Sequence, residues 1–114
     1  MRFDILTIFP EPLRCLFSVG VIGQAQAAGQ IEIYAHDLRE FTDDPHRVVD
    51  DRPYGGGAGM VMKVEPFVRA IEAIRPQCGP NTRTILLSPQ GRLFRQRDAL
   101  RWASLDGMVL LCGR

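Results

Sequence analysis

The sequence predicts an α/β fold, a mostly parallel sheet with helices on both faces. Two observations carry this expectation. Four short, mostly apolar segments read as strands, and each interval between them carries apolar residues at helical spacing. The length of 114 residues allows one domain or part of one. Hydrophobic residues make up 46% and charged ones 24%, which sets aside disorder, collagen-like repeats and coiled coils.

Arg2 to Phe9 is β-branched and aromatic and reads as a buried strand ending at Pro10. Pro10-Glu11-Pro12 can open a helix, because proline is tolerated in the first turn, and Leu13, Leu16 and Phe17 give it an apolar face before Gly20. A second short helix is expected from about Val21 to Ala28, stopping at Gly29. Ile31 to His36 alternates like a half-buried strand. From Leu38 to Lys63 the chain reads as irregular, with two prolines and four glycines, and loops of that length are usually functional or disordered.

Val64, Phe67, Val68, Ile71 and Ile74 keep helical spacing, with Pro66 placed to start the helix and Pro76 to end it. Thr82 to Leu87 is a third strand, closing in Ser88-Pro89-Gln90-Gly91. Leu93 to Ser104 reads as helical, with a less tidy face around Ala99, Leu100 and Ala103. Met108 to Cys112 is a fourth strand, followed by Gly113 and Arg114. In open α/β sheets ligands bind beyond the carboxyl ends of the strands. The sequence stops where such a loop begins, so a fragment is expected.

The longest uncharged stretch, Cys15 to Ile31, contains three Gly and three Gln and is no membrane span. Asp4 and two early prolines interrupt any secretory signal, so a cytoplasmic chain is expected. The three cysteines, Cys15, Cys78 and Cys112, are widely spaced, which predicts buried or half-buried free thiols and neither disulfide nor zinc site. Net charge is +1, but Glu32 to Asp51 holds seven acids against two arginines. Arg83 to Arg114 holds six arginines against Asp98 and Asp106. Arginine's planar fork suits phosphate, so the C-terminal third is a candidate RNA- or DNA-facing surface; codon bias toward arginine is the alternative.

The densest chemical signal is Val49-Asp50-Asp51-Arg52-Pro53-Tyr54-Gly55-Gly56-Gly57-Ala58-Gly59-Met60. Charged residues, an aromatic and four glycines exceed what a turn needs and point to a binding loop. It is no phosphate loop, because Gly59 leads into Met60-Val61-Met62-Lys63 rather than Gly-Lys-Ser/Thr. The dinucleotide fingerprint fails at Met60. Asp43, Asp44, His46, Asp50 and Asp51 are a possible hard-metal or general-base cluster, but their spacing matches no ligand template; a solvated loop and no metal are expected. Leu86 to Gly91 and Leu110 to Arg114 are strand ends running into glycine turns. If the two strands are neighbours, their exits form one crevice.

Phe9-Pro10-Glu11, VDDRPYGGGAGM at 49–60, LSPQGR at 87–92 and LLCGR at 110–114 occur in this order. As a set they resemble the bacterial tRNA (guanine-N1)-methyltransferase, or TrmD, family across essentially the whole chain. Ala58 stands where that family often has proline. The resemblance implies a SPOUT-class fold with a trefoil knot, here cut before the knot is completed. It implies transfer of a methyl group from S-adenosylmethionine to N1 of the guanosine immediately 3′ of the tRNA anticodon, by a homodimer with sites at the subunit interface.

Carried over by position, Leu86, Leu87, Ser88 and Pro89 would line the cofactor pocket and Gly113 would begin the adenosine-binding loop. Asp50, Arg52, Tyr54, Gly55, Gly56, Gly57 and Gly59 would approach the guanosine and the partner subunit. In the family a Tyr-Glu-Gly segment, an essential arginine, the knot remainder, the aspartate taken as general base and a helical tRNA-binding domain follow Cys-Gly-Arg. The catalytic groups are thus expected downstream of Arg114, Asp50 being the one acid here suspected as a substitute, and this chain alone is expected to be inactive. The alternative is a non-catalytic RNA-binding or dimerising α/β module.

Overall fold

The computed structural model describes residues 1–113. Four parallel strands form one sheet: β1 (Arg2–Thr7), β2 (Glu32–Asp37), β5 (Thr82–Leu87) and β6 (Gly107–Cys112), in the order β2-β1-β6-β5. A separate antiparallel pair, β3 (Asp50–Asp51) with β4 (Val61–Met62), rises from the stretch read as irregular. The expected parallel α/β architecture is therefore the observed one.

Side chains alternate across the sheet and define its two faces. Leu6, Val109 and Leu111 face α3 (Val64–Ile74), which buries Pro66, Ala70 and Ile74 against them with Phe67 and Ile71 beside. Leu38, Val49 and Ile8 complete this core, so the base of the β3–β4 pair is seated at the carboxyl end of β1. The other face carries α1 (Pro10–Phe17) and α2 (Gly20–Ala27) over Ile33 and Ala35. Beside them α4 (Gln96–Trp102) lies over Met108 and Leu110. Gln26 Nε2 donates to the Phe17 carbonyl at 2.6 Å and ties the two short helices together.

Three details depart from the sequence reading. In α3 the buried stripe runs through Ala70, whereas Val64 and Val68 are exposed. A small side chain at the closest approach lets the helix sit down on the sheet, and hydrophobicity alone undervalues alanine. Helix α4 begins at Gln96, because Leu93 to Arg95 stay out of the helix and Arg95 has extended backbone at the N-cap. Cys15 is exposed on α1, not buried or half-buried as expected; Cys78 and Cys112 are half-buried, and all three thiols are free.

Asp4 is 1% exposed in the middle of β1, yet it is fully paired. Arg2 donates to it from Nε at 2.7 Å and from Nη2 at 2.9 Å, and His36 Nε2 lies 2.7 Å from Oδ1. Arg2 also stacks over Tyr34 at 4.2 Å and reaches Gln77 at 3.2 Å, joining β1, β2 and the 3-10 turn that follows α3. No helix among the described residues is long and apolar enough to cross a membrane.

Candidate functional site

β5 and β6 are neighbours in register, with Leu87 opposite Cys112. The Ser88–Gly91 turn and Gly113 therefore leave the same end of the sheet. This is the crevice position that parallel α/β sheets use for ligands. Gly113 lies just past Cys112 and is exposed.

A groove of about 810 Å³ opens between this end of β5 and α4. Leu86, Leu87, Ser88 and Pro89 line it, so four of the sequence-predicted pocket residues come together. Leu86 and Leu87 are 64% and 51% exposed, an unusual state for two leucines in a strand and one suited to packing against a ligand. Phe94 and Trp102 form the opposite wall, their rings 5.4 Å apart. Sequence reasoning missed these two, and also Arg92 and Leu93, because Leu93 to Ser104 was read as one helix with an untidy face. The Leu93-Phe94 pair just ahead of a helix was the available signal.

The turn after β5 is held by its own bonds. The Gln90 N–H donates to Ser88 Oγ at 3.2 Å and the Gly91 N–H to the Ser88 carbonyl at 3.0 Å. Arg92 Nη1 then donates at 2.7 Å to Oδ1 of buried Asp98, whose other oxygen accepts the Arg95 N–H at 2.9 Å. The hydrogen bond from Arg92, followed by that from the Arg95 amide, keeps the Asp98 carboxyl below the usual carboxylate range.

The glycine loop is the second half of the predicted site. It is the tip of the β3–β4 pair, and all four predicted glycines need the left-handed region: φ is 79° at Gly55, 78° at Gly56, 129° at Gly57 and 90° at Gly59. A side chain at such φ is strained, so the composition of the loop follows from its path. Tyr54 is completely exposed and Arg52 is exposed beside it. Asp51 Oδ1 accepts the Arg52 N–H at 2.7 Å, and Asp50 is half-buried at the base.

A cleft of about 600 Å³ lies under this loop, between Asp51, Arg52 and Tyr54 on one side and Lys63, Glu65 and Arg69 on the other. It shares no lining residue with the β5–α4 groove, so the two predicted halves are separate surfaces here. Two residues of the acidic stretch are engaged by the chain itself. Asp44 accepts the backbone N–H groups of His46 and Val48, which lower its carboxyl pKa, and Asp43 pairs with Arg69 at 2.6 Å. No group of three metal-ligating side chains occurs among the described residues.

The whole chain, residues 1–114, matches the family model of tRNA (Guanine-1)-methyltransferase TrmD. It is 51% identical to the tRNA (guanine-N(1)-)-methyltransferase of Methylococcus capsulatus, covering 100% of this chain and 45% of that protein. Identity is also 51% to the enzyme of the same description from Koribacter versatilis, over 100% of this chain and 44% of that one. The fold superposes on the crystal structure of the tRNA (m1G37) methyltransferase from Aquifex aeolicus with a TM-score of 0.86 at 36% identity, covering 100% of this chain and 51% of that one. The chain thus spans about half the length of the relatives it matches. A parallel sheet with its apolar groove at the β5–β6 exits, together with a match along every residue, places this chain in the tRNA (guanine-N1)-methyltransferase family.

Proposed function

We propose that this chain forms the N-terminal part of a SPOUT-class methyltransferase domain that uses S-adenosylmethionine to methylate N1 of the guanosine immediately 3′ of the tRNA anticodon. The observation that carries the reading is the groove at the paired carboxyl ends of β5 and β6, lined by Leu86, Leu87, Ser88 and Pro89. Its residues fit the methyl donor: leucine and aromatic walls suit a flat adenine, and Ser88 and the turn backbone supply polar groups at the rim. Bound there, the donor supplies an electrophilic methyl on a positively charged sulfur.

The chain's own residues then have distinct tasks. Leu86 and Leu87 exclude water from the adenine faces, the Ser88–Gly91 turn orients the donor, and Gly113 opens the segment that closes over it. Asp50, Arg52, Tyr54 and the glycines at 55, 56, 57 and 59 present a glycine-rich loop to the guanosine. As N1 attacks, its proton must leave and negative charge develops on O6, which calls for a base and a cationic or N–H stabiliser. Those groups are assigned to the family sequence that follows Cys-Gly-Arg, and the working form to a cytoplasmic homodimer.

The test is a chimera. Joined to the remaining length of the Methylococcus capsulatus relative, residues 1–114 should transfer methyl to N1 of the target guanosine in unmodified tRNA, while the chain alone should not. A well-folded chimera without transfer would overturn the reading.

A further inference from the structure

The arginines of this chain fall into two groups. Arg2 pairs with Asp4, Arg14 with Glu11, Arg39 and Arg47 with Asp37, Arg69 with Asp43 and Arg92 with Asp98. Arg52, Arg75, Arg83, Arg95, Arg97 and Arg101 form no ion pair among the described residues and are exposed; Arg52 belongs to the glycine loop and Arg75 follows α3, which leaves Arg83, Arg95, Arg97 and Arg101. Arg83 is on β5, Arg95 is the N-cap of α4, and Arg97 and Arg101 are on α4. Nearby acids are already engaged: Asp98 by Arg92 and Arg95, and Asp106 by the Asn81 N–H at 2.8 Å.

Helical spacing puts Arg97, Leu100 and Arg101 on the outward stripe of α4, while Asp98, Ala99 and Trp102 turn inward. Arg83 shares the α4 face of the sheet with Ile85, which lines the groove. Arg95 is the N-cap of α4 and Arg97 lies in its first turn, beside the Asp98 carboxylate that accepts the Arg95 N–H. Leu93, Phe94 and Leu100 are exposed between the arginines, so basic and apolar surface alternate beside the groove.

We propose that Arg83, Arg95, Arg97 and Arg101 form a phosphate-gripping surface for RNA, a contact with the substrate tRNA separate from the glycine loop. The proposal rests on the tRNA methyltransferase reading for the identity of the RNA. Arg95 and Arg97 follow closely on Arg92, which lines the groove, so RNA held on α4 is kept beside that groove. Arginine forks match phosphate oxygens in pairs, and each phosphate neutralised releases bound counterions.

The test measures fluorescence anisotropy of an unmodified tRNA transcript titrated with this chain across a range of salt. The triple variant R95Q/R97Q/R101Q should bind about tenfold more weakly, with a log–log salt slope lower by about two. R83Q, on a strand and independent of helix stability, should bind about threefold more weakly. R75Q, on the α3 side of the sheet, is the control and should bind as the parent does. Calorimetric titration with S-adenosylmethionine should be unaffected by all four changes, which separates this surface from the donor site.

Unchanged tRNA affinity in the triple variant, an equal loss in R75Q, or no tRNA binding by the parent at low salt would each overturn the proposal. So would displacement of the tRNA by polyglutamate as effectively as by polyuridine of equal charge, since that marks an acidic protein as the partner. Loss of donor binding with the arginine effects intact would count against the methyltransferase reading alone.

Discussion

Arg92 fastens the turn after β5 to the helix behind it, donating at 2.7 Å to Asp98, a carboxylate buried at the start of α4. The link closes one wall of the groove onto the other, because Arg92 lies on the rim and α4 carries Trp102. D98N keeps the shape but removes the charge that holds the guanidinium and weakens the bond to the Arg95 N–H. We expect the Arg95 amide to exchange faster with solvent and S-adenosylmethionine affinity to fall by about three- to tenfold, roughly one charge-assisted hydrogen bond's worth of positioning. Exchange and affinity both equal to the parent's would show that the link does not set the groove.

Asp4 controls the acid limb of stability. Burial alone would raise its pKa, but the hydrogen bonds from His36 and Arg2 outweigh burial and hold it below the ordinary carboxylate value. A depressed folded pKa contributes stability that is complete above the unfolded value of about 3.9 and is lost as pH falls through the folded one. In D4N that contribution is absent, and Arg2 is left without its charged partner inside the sheet. Urea titration at pH 7 should show a loss of about 3 kcal/mol. The gap between parent and variant should be flat from pH 7 to about 5 and shrink below about 4. A gap that stayed constant at acid pH would mean the charge of Asp4 is not what stabilises the fold.

The glycine loop separates stability from function. A Cβ on Gly56 or Gly57 would meet nothing within 4 Å, so alanine there costs only the strained φ, about 1 to 2 kcal/mol of local conformation. Because the loop is an exposed tip, that cost should relax by refolding the tip rather than by melting the sheet. G56A and G57A are therefore expected to leave the melting temperature within about 2 °C of the parent. In the methyl-transfer chimera they should lower kcat/KM for tRNA by at least about tenfold, with S-adenosylmethionine affinity unchanged. Gly107 behaves oppositely: its Cβ would sit 2.7 Å from the Arg2 carbonyl in the neighbouring strand, and G107A should destabilise the whole sheet.

The sheet was legible in the sequence because its strands are apolar runs bounded by turn residues, and their order of appearance fixed the helices between them. The glycine loop was legible through its composition, because positive φ angles leave few other choices at Gly55, Gly56, Gly57 and Gly59. The β3–β4 pair was not: with only Asp50–Asp51 against Val61–Met62, it is too short to leave a periodic signal. Phe94 and Trp102 were hidden for a different reason. Their role depends on α4 starting three residues later than periodicity suggested, and that start is set by Asp98 capping the Arg95 N–H. Likewise, the basic C-terminal third was visible as a count, but only the ion pairs show that Arg92 is engaged while Arg83, Arg95, Arg97 and Arg101 remain available.

The exposed leucines of β5 give the most direct prediction. Leu86 and Leu87 gain little from the present packing, since more than half of each is open to solvent. Replacing Leu87 with aspartate should therefore leave the unliganded melting temperature within about 2 °C of the parent, unlike a change at a filled core position. The ligand response should differ sharply. For a site that binds the folded chain only, S-adenosylmethionine at a hundred times its Kd adds about 2.7 kcal/mol and raises the melting temperature by several degrees. L87D should abolish that rise, because the adenine would then face a carboxylate instead of an apolar wall. A parent chain stabilised by the donor and an L87D chain stabilised equally would place the donor elsewhere on the molecule.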